Sequence, residues 1–147
     1  MDNRGVDEGL VIERLRHGYD AWNRGDIEAG LEFAAEDMEW HGPPDSPFAG
    51  PHMGHAQIRA FAHGMLEMFA RIERTPQGFE IHGDHVLVPV QSFVRGTGSG
   101  IEVEVSLVDV WTIREGLVAR YAVFPDRGEA LAYIACGEHA SEPAPAG

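Results

Sequence analysis

The chain has 147 residues, and 44% of them are hydrophobic, which predicts one compact domain with a core large enough to enclose a small-molecule pocket. Its 11 Lys and Arg residues are outnumbered by 24 Asp and Glu residues, which gives a formal net charge of −13. Such a surface repels nucleic acid and anionic lipid, so we expect neither nucleic acid nor a membrane as a partner.

Residues 1–9 are polar and acidic, and no run approaches the roughly 18 apolar residues that a membrane span needs. We therefore expect a cytoplasmic location. Cys136 is the only cysteine, so no internal disulfide can form. We expect a single domain over residues 1–137 and a flexible tail over residues 138–147, which are rich in proline and alanine.

The first half of the chain has the periodicity of helices. The first helix is predicted from apolar residues at helical spacing, which are Val11, Ile12, Leu15, Tyr19 and Trp22. Gly25 follows as a C-cap, and Asp26 can cap a short second helix that carries Ile27, Leu31 and Ala34 inward.

A proline-rich loop should separate this pair from a third helix. The loop is predicted from Glu39 to Gly54, after a short strand from Met38 to His41. The third helix should run from about His55 to Arg74 and end before Pro76. Its apolar stripe contains Ile58, Phe61, Met65, Phe69 and Ile72.

The second half has the pattern of antiparallel strands. They are predicted over 78–82, 85–95, 101–114 and 117–124, with turns between them and a short closing helix from about Arg127 to Ala135. Helices first and a meander afterwards predict an α+β fold, in which three helices pack on one face of a curved sheet and enclose a cone-shaped pocket.

Asp109 interrupts an apolar row in the longest predicted strand. The row consists of Ile101, Val103, Val105, Leu107, Trp111 and Ile113. The alternate row begins with Glu102 and Glu104, so the row that holds Asp109 should face the core. A buried carboxylate must find partners or lose its charge, which makes Asp109 a candidate functional group.

Three segments together resemble the NTF2-like superfamily, in its SnoaL-like polyketide cyclase and ketosteroid isomerase branch. They are Tyr19–Asp26 at the end of the first helix, Phe48–Phe61 at the start of the third, and Val110–Leu131 through the last hairpin and closing helix. The resemblance covers residues 11–137 and implies a cone-shaped fold with an internal pocket. Its members include isomerases, cyclases, dehydratases, epoxide hydrolases and non-enzymatic binders, so the fold alone does not give the reaction.

The resemblance carries over only part of a known active site. Asp109 matches the ketosteroid isomerase acid that donates a hydrogen bond to an enolate oxygen. The general base of that enzyme would fall near Gly42, which has no side chain, and its oxyanion tyrosine near Gly18, with Tyr19 one residue along. The Asp-Arg-Asp arrangement of limonene epoxide hydrolases is not seen at the expected positions, which hold Val88–Val90 and Ala122.

Two interpretations of Asp109 remain open. It is either an acid of raised pKa that protonates a developing oxyanion, or a structural carboxylate satisfied by Arg120, Tyr121 or a backbone donor. His41, at the end of the predicted first strand, is the candidate general base in place of Gly42, and the alternative is a surface histidine.

We expect neither a metal nor a cofactor. His41, Asp45, His52 and His55 form a cluster on paper, but their spacing fits no known ligand motif. Tyr19 is the candidate hydroxyl donor. The candidate pocket wall is aromatic and apolar, and it consists of Trp22, Trp40, Met65, Phe69, Phe93, Trp111 and Tyr121.

The leading hypothesis is a cofactor-independent enzyme that performs isomerisation, aldol-type cyclisation or dehydration on a hydrophobic polyketide-like or steroid-like molecule. Asp109 would be the acid, His41 the base and Tyr19 a supporting donor. The alternatives are epoxide opening, by hydrolysis or cyclisation, and a non-catalytic ligand-binding or accessory domain. Val108 and Val110 on the outer face of the long strand predict a homodimer, which the resemblance also implies.

Overall fold

The computed structural model describes residues 8–42 and 50–140. The helices are α1 (Glu8–Asn23), α2 (Ile27–Gly30), α3 (Gly54–Met68) and α4 (Arg127–Ala140). The strands are β1 (Ala34–His41), β2 (His52–Met53), β3 (Phe69–Pro76), β4 (Glu80–His82), β5 (His85–Gly96), β6 (Glu102–Arg114) and β7 (Leu117–Phe124). No helix in these two ranges is both long enough and apolar enough to cross a membrane.

The seven strands form one curled, mixed sheet in the order β2-β1-β7-β6-β5-β3, with β4 paired to β5. β1 runs parallel to β7, and the other pairs are antiparallel. Helices α1, α2 and α3 cover the concave face, and the main hydrophobic core lies between them and the sheet. The α+β fold predicted from the sequence, with three helices packed on one face of a curved sheet, is therefore confirmed.

The two N-terminal helices follow their sequence signals. Gly25 ends α1 with a positive φ of 74°, which glycine adopts without steric cost. The Asp26 carboxylate accepts from the backbone N–H of Ala29 and caps α2. The helix α2 is a single turn, and Ala34, expected on it, begins β1 instead.

The third helix is shorter than the sequence predicted. The observed helix α3 ends at Met68, and the residues from Phe69 to Pro76 form the edge strand β3. Phe69 and Ile72 continue the helical stripe in sequence, but no glycine or proline marks the true end. The segment forms a strand rather than continuing the helix, because the long strand β5 offers an open edge on which Ile72 pairs with Val94.

The helix α4 changes the outer face of the sheet. It extends to Ala140 rather than Ala135 and packs Ala130 and Ile134 onto Val108 and Val110. Those two valines were predicted to form a dimer surface, and that prediction is wrong, because the chain's own helix buries them.

Only the second half of the apolar row on β6 faces the core, although the whole row was expected to do so. Ile101, Val103 and Val105 are exposed at 65%, 49% and 42%, whereas Asp109 is fully buried. The cause is that β7 ends at Phe124, opposite Val108, so the first half of β6 extends beyond the body of the sheet.

Candidate functional site

The centre of the site is the fully buried carboxylate of Asp109 in the middle of β6, between Val88 of β5 and Val123 of β7. Arg74 donates to both of its oxygens, from Nη1 to Oδ2 at 2.8 Å and from Nη2 to Oδ1 at 3.0 Å. The hydroxyls of Tyr19 and Tyr121 bring the number of hydrogen bonds to this carboxylate to four. The Tyr19 hydroxyl donates to Oδ2 at 2.5 Å, and the Tyr121 hydroxyl to Oδ1 at 2.9 Å.

This arrangement differs from the proton-donating acid that the ketosteroid isomerase resemblance implied, because both oxygens of Asp109 accept hydrogen bonds from Arg74 and the two tyrosines. A bidentate guanidinium is a strong hydrogen-bonding partner for a carboxylate. The structural interpretation named Tyr121 correctly and Arg120 incorrectly. Arg120 lies instead 3.5 Å from Glu39, and it donates to the Tyr133 hydroxyl of α4.

Hydrogen bonds extend from the ion pair into its aromatic surroundings. The indole Nε1 of Trp111 donates to the Tyr19 hydroxyl at 2.9 Å, and Arg74 Nη1 also donates to the Tyr121 hydroxyl at 3.1 Å. Each hydroxyl therefore accepts one bond and donates one to Asp109. We call these five residues, Tyr19, Arg74, Asp109, Trp111 and Tyr121, the buried network.

Both tyrosines in the buried network stay protonated. Burial, followed by the negative charge of Asp109, raises the pKa of Tyr19 well above its ordinary value. Burial also raises the pKa of Tyr121, although the charge of Arg74 opposes that shift. Burial disfavours the charged guanidinium of Arg74, but Asp109 and the tyrosines more than offset this and hold its pKa above the ordinary range. Both hydroxyls therefore act as hydrogen-bond donors.

Arg74 is the residue of this network that the sequence did not indicate. It was placed at the end of a helix, whereas it lies in β3, opposite Ser92 of β5. Asn23, at the end of α1, bonds to its backbone N–H and carbonyl. The alternation of β3 directs Arg74 to the same face as Ile72, which is buried. An arginine spaced two residues from a buried isoleucine was the available signal.

Two cavities meet the buried network. The Tyr121 cavity has a volume of about 190 Å³. Its lining, between the sheet and helices α1 and α3, includes Trp22, Trp40, Met65, Phe69, Arg74, Ser92 and Tyr121. The Tyr19 cavity has a volume of about 90 Å³ and includes Tyr19, Trp22, Trp40, Arg74 and Trp111 in its lining. Asp109 lines neither of them.

The expected pocket residues therefore divide between the two cavities, with one exception. Phe93 lines neither cavity, because neighbouring residues of a strand point to opposite faces and Ser92 takes the cavity side. The guanidinium of Arg71 lies over the Phe93 ring, 5.3 Å from its centroid. Gly42, where the base of a ketosteroid isomerase was expected, does line the Tyr121 cavity, without a side chain to offer.

The structure does not bring His41 to the buried network. Its Nε2 lies 3.0 Å from Oε1 of Glu39, and Glu39 in turn lies near Arg120, which reaches Tyr133 of α4. These contacts are on the outer side of the sheet, and His41 lines neither cavity.

His52 is the histidine on the inner side of this edge, although it lines neither cavity. It lies directly opposite Trp40 across the β1–β2 pair, so the two side chains share a face. The imidazole stacks on Phe61 at a centroid distance of 4.4 Å, and its buried Nε2 has no hydrogen-bond partner among the described residues. His41 and His52 could not be separated from the sequence alone, because the register of β2 was not predictable.

Metal ligation gains no support from residues 8–42 and 50–140, in which no three His, Cys, Asp or Glu side chains form a cluster. His55 bonds to the carbonyl oxygen of Ala34 at 3.0 Å, away from His41 and His52. Asp45, the fourth member of the cluster considered from the sequence, lies outside the described residues, as do Phe48 and Ala49 of the quoted resemblance.

Comparisons with known proteins place this geometry in a family. A family model described as a SnoaL-like domain matches residues 15–121. An NTF2-like protein from Burkholderia xenovorans LB400 is 30% identical, with a TM-score of 0.66, over 84% of this chain and 93% of that chain. A search of curated proteins found no match.

Two further solved structures are similar. TerC, co-crystallized with polyporic acid, is 26% identical, with a TM-score of 0.71, over 84% of this chain and 95% of that chain. A putative SnoaL-like polyketide cyclase from Jannaschia sp. CCS1 is 21% identical, with a TM-score of 0.69, over 86% of this chain and 90% of that chain, and shares the fold. This chain belongs to the SnoaL-like family of the NTF2-like superfamily.

Proposed function

We propose that the protein is a cofactor-independent enzyme that catalyses isomerisation, aldol-type cyclisation or dehydration of a hydrophobic, oxygenated molecule of the polyketide or steroid type. The observation that carries this proposal is the position of Arg74 and Tyr121, whose donor groups lie in the wall of an otherwise largely apolar cavity. A ligand that buries its apolar body there meets these donors with its oxygen.

Enolate-type reactions share one requirement that these donors meet. Negative charge develops on a carbonyl oxygen, and fixed N–H and O–H donors in a cavity of low dielectric stabilise that charge. The raised pKa of Tyr121 keeps its proton in place. In this proposal that proton, which is donated to Asp109 in the structure, turns to the ligand oxygen, and Arg74 adds N–H groups that Asp109 does not use. Asp109 lies behind Arg74 and orients both, so its role in this proposal is positioning.

The similarity to TerC supports a ligand-binding cavity, because that protein was crystallised with a small molecule. The apolar wall and the formal net charge of −13 favour a small organic ligand over a nucleic acid. The homodimer and the cytoplasmic location expected from the sequence remain part of the proposal, and light scattering on the purified chain tests the first.

The experiment uses 2-tetralone, a bicyclic ketone with acidic hydrogens next to its carbonyl. In D₂O, the wild-type protein should accelerate exchange of these hydrogens, followed by proton NMR. Tyr121→Phe should lower the exchange rate at least tenfold, because one oxyanion donor is removed. If 2-tetralone binds but exchange stays at the rate in buffer, the enolate proposal fails and the non-catalytic binding domain becomes the better interpretation.

Epoxide opening is a second candidate, because the arginine–aspartate pair exists, although between other strands than those expected from limonene epoxide hydrolases. In the described residues, Arg74 contacts one carboxylate, that of Asp109, and no second one is available to activate water. This favours the enolate reaction. Hydrolysis of styrene oxide to its diol, at a rate that depends on Arg74, would reverse that preference.

A further inference from the structure

Trp22 carries a buried hydrogen-bond donor that the protein leaves unused. Its indole Nε1 is buried, and no acceptor lies within hydrogen-bonding distance in the part of the chain that the structure describes. A buried N–H without a partner costs roughly 1–3 kcal/mol relative to a paired one, so such groups are rare and need an explanation. The indole of Trp111, which is paired with Tyr19, shows the usual solution nearby.

The unused donor belongs to the wall of the proposed binding site. Trp22 lines both the Tyr121 cavity and the Tyr19 cavity. Its ring stacks on Trp40 at a centroid distance of 6.0 Å, and Trp40 in turn packs on Tyr121 at 4.2 Å. Trp22, Arg74 and Tyr121 therefore all belong to the wall of the Tyr121 cavity, with the ring of Trp40 between Trp22 and Tyr121.

A bound water is the simplest alternative acceptor, and the lining of the Tyr121 cavity argues against one there. A water that is stably bound inside a protein normally has two to four polar partners. Besides the indoles, the polar side chains that line the Tyr121 cavity are those of Arg74, Ser92 and Tyr121, all on strands. The lining of the smaller Tyr19 cavity also includes Arg14, His17 and Asp26. An oxygen that is part of a larger apolar ligand needs only the indole as its partner.

We propose that Trp22 is a second ligand-binding donor, so that the ligand carries two oxygen functions, one facing Arg74 and Tyr121 and the other facing the indole. This inference rests on the proposed function, because it takes the Tyr121 cavity as the binding site. An engineered cavity of roughly 150 Å³ is known to hold benzene, so the cavity of about 190 Å³ suits a ligand near the size of a fused aromatic bicycle.

The test compares 2-naphthol, which has one oxygen, with 2,6-dihydroxynaphthalene, which has one at each end. Wild-type protein should bind the second about five to ten times more tightly, as expected for one additional neutral hydrogen bond. Trp22→Phe, which retains an aromatic ring and removes the N–H, should reduce this ratio to about one. Tyr133→Phe is the control, because it removes a hydrogen-bonding group from an aromatic side chain outside both cavities and should preserve the ratio.

NMR of the indole N–H groups gives an independent readout, since the chain has three tryptophans. The Trp22 signal should move downfield with 2,6-dihydroxynaphthalene and little with 2-naphthol, while the Trp111 signal stays in place. Equal affinities together with an unmoved Trp22 signal overturn the inference and leave the proposed function standing. No binding of either compound overturns both.

Discussion

Asn23 pairs with the backbone of Arg74 through both ends of its side-chain amide. Its Nδ2 donates to the carbonyl oxygen at 2.9 Å, and its Oδ1 accepts from the N–H at 2.8 Å. Since β3 is an edge strand, this amide takes the place of a neighbouring strand at the one position where the guanidinium must reach Asp109.

Replacing Asn23 with Ala should therefore disturb the site more than its exposed position suggests. We expect a loss of about 1–2 kcal/mol in the free energy of unfolding, measured by urea titration, and weaker binding of 2-naphthol. Gln77→Ala is the matched control, because that amide also bonds to the β3 backbone, at Thr75, but not at Arg74. Equal effects of the two substitutions would show that the pairing does not position Arg74.

Asp109→Asn should destabilise the fold strongly, by about 3–5 kcal/mol, because it leaves the charge of Arg74 buried without its partner. The double variant Arg74→Met/Asp109→Leu should recover much of that loss, since buried ion pairs are often replaceable by apolar groups. Both variants should lack exchange activity toward 2-tetralone. A double variant no more stable than the single one would contradict this account of the ion pair.

Tyr19 and Tyr121 should resist ionisation. In Tyr133→Phe they are the only tyrosines left, and absorbance at the tyrosinate band should stay flat through pH 10, the ordinary tyrosine value. The raised pKa values favour the folded state below pH 10, and this stability is lost as the pH rises toward the folded-state values. A tyrosinate signal that appears near pH 10 while circular dichroism still shows a folded protein would contradict the expectation.

The two histidines of the β1–β2 edge make a matched pair for locating the proton acceptor. His52→Gln should lower the rate of 2-tetralone exchange. His52 shares a face with Trp40, stacks on Phe61 of the Tyr121 cavity wall, and has an Nε2 without a partner among the described residues. His41→Gln should leave the rate near that of the wild type, because His41 pairs with Glu39 on the outer side. The reverse order would restore the role that the sequence assigned to His41.

The two rows of β6 can be compared by substitution. Val103→Thr should change the free energy of unfolding by less than about 0.5 kcal/mol, because the side chain is 49% exposed. Val110→Thr should cost about 1–3 kcal/mol, since it places a hydroxyl in the fully buried layer beneath α4. Light scattering on Val103→Thr also reports whether the exposed half of this row contributes to self-association.

A site residue could be predicted when the pattern that marks it lies within one segment of the sequence. Asp109 was found because one strand contains the whole pattern that makes it unusual. Tyr19 and Tyr121 were found through the aromatic content of their segments. Arg74 was missed because its position depends on the pairing of β3 with β5, which is a contact between segments and not a local pattern.

The placement of Val108 and Val110 on a dimer surface failed for a related reason, while the homodimer itself stays a prediction. An apolar residue on the outer row of a strand has the same sequence pattern whether another subunit or the chain's own helix covers it. The helix α4 follows the sheet directly in sequence, and this proximity was the information that could have favoured the covering helix.

The parallel pairing of β1 with β7 has a consequence for the order of folding. It joins the first and last of the long strands, and Tyr19 and Asp109, which bond directly, are 90 positions apart in the chain. Contacts of such long sequence separation form slowly, because the intervening chain must lose its freedom first. The site therefore exists only in the completely folded chain, and a ligand bound there holds the two ends of the domain together by mass action.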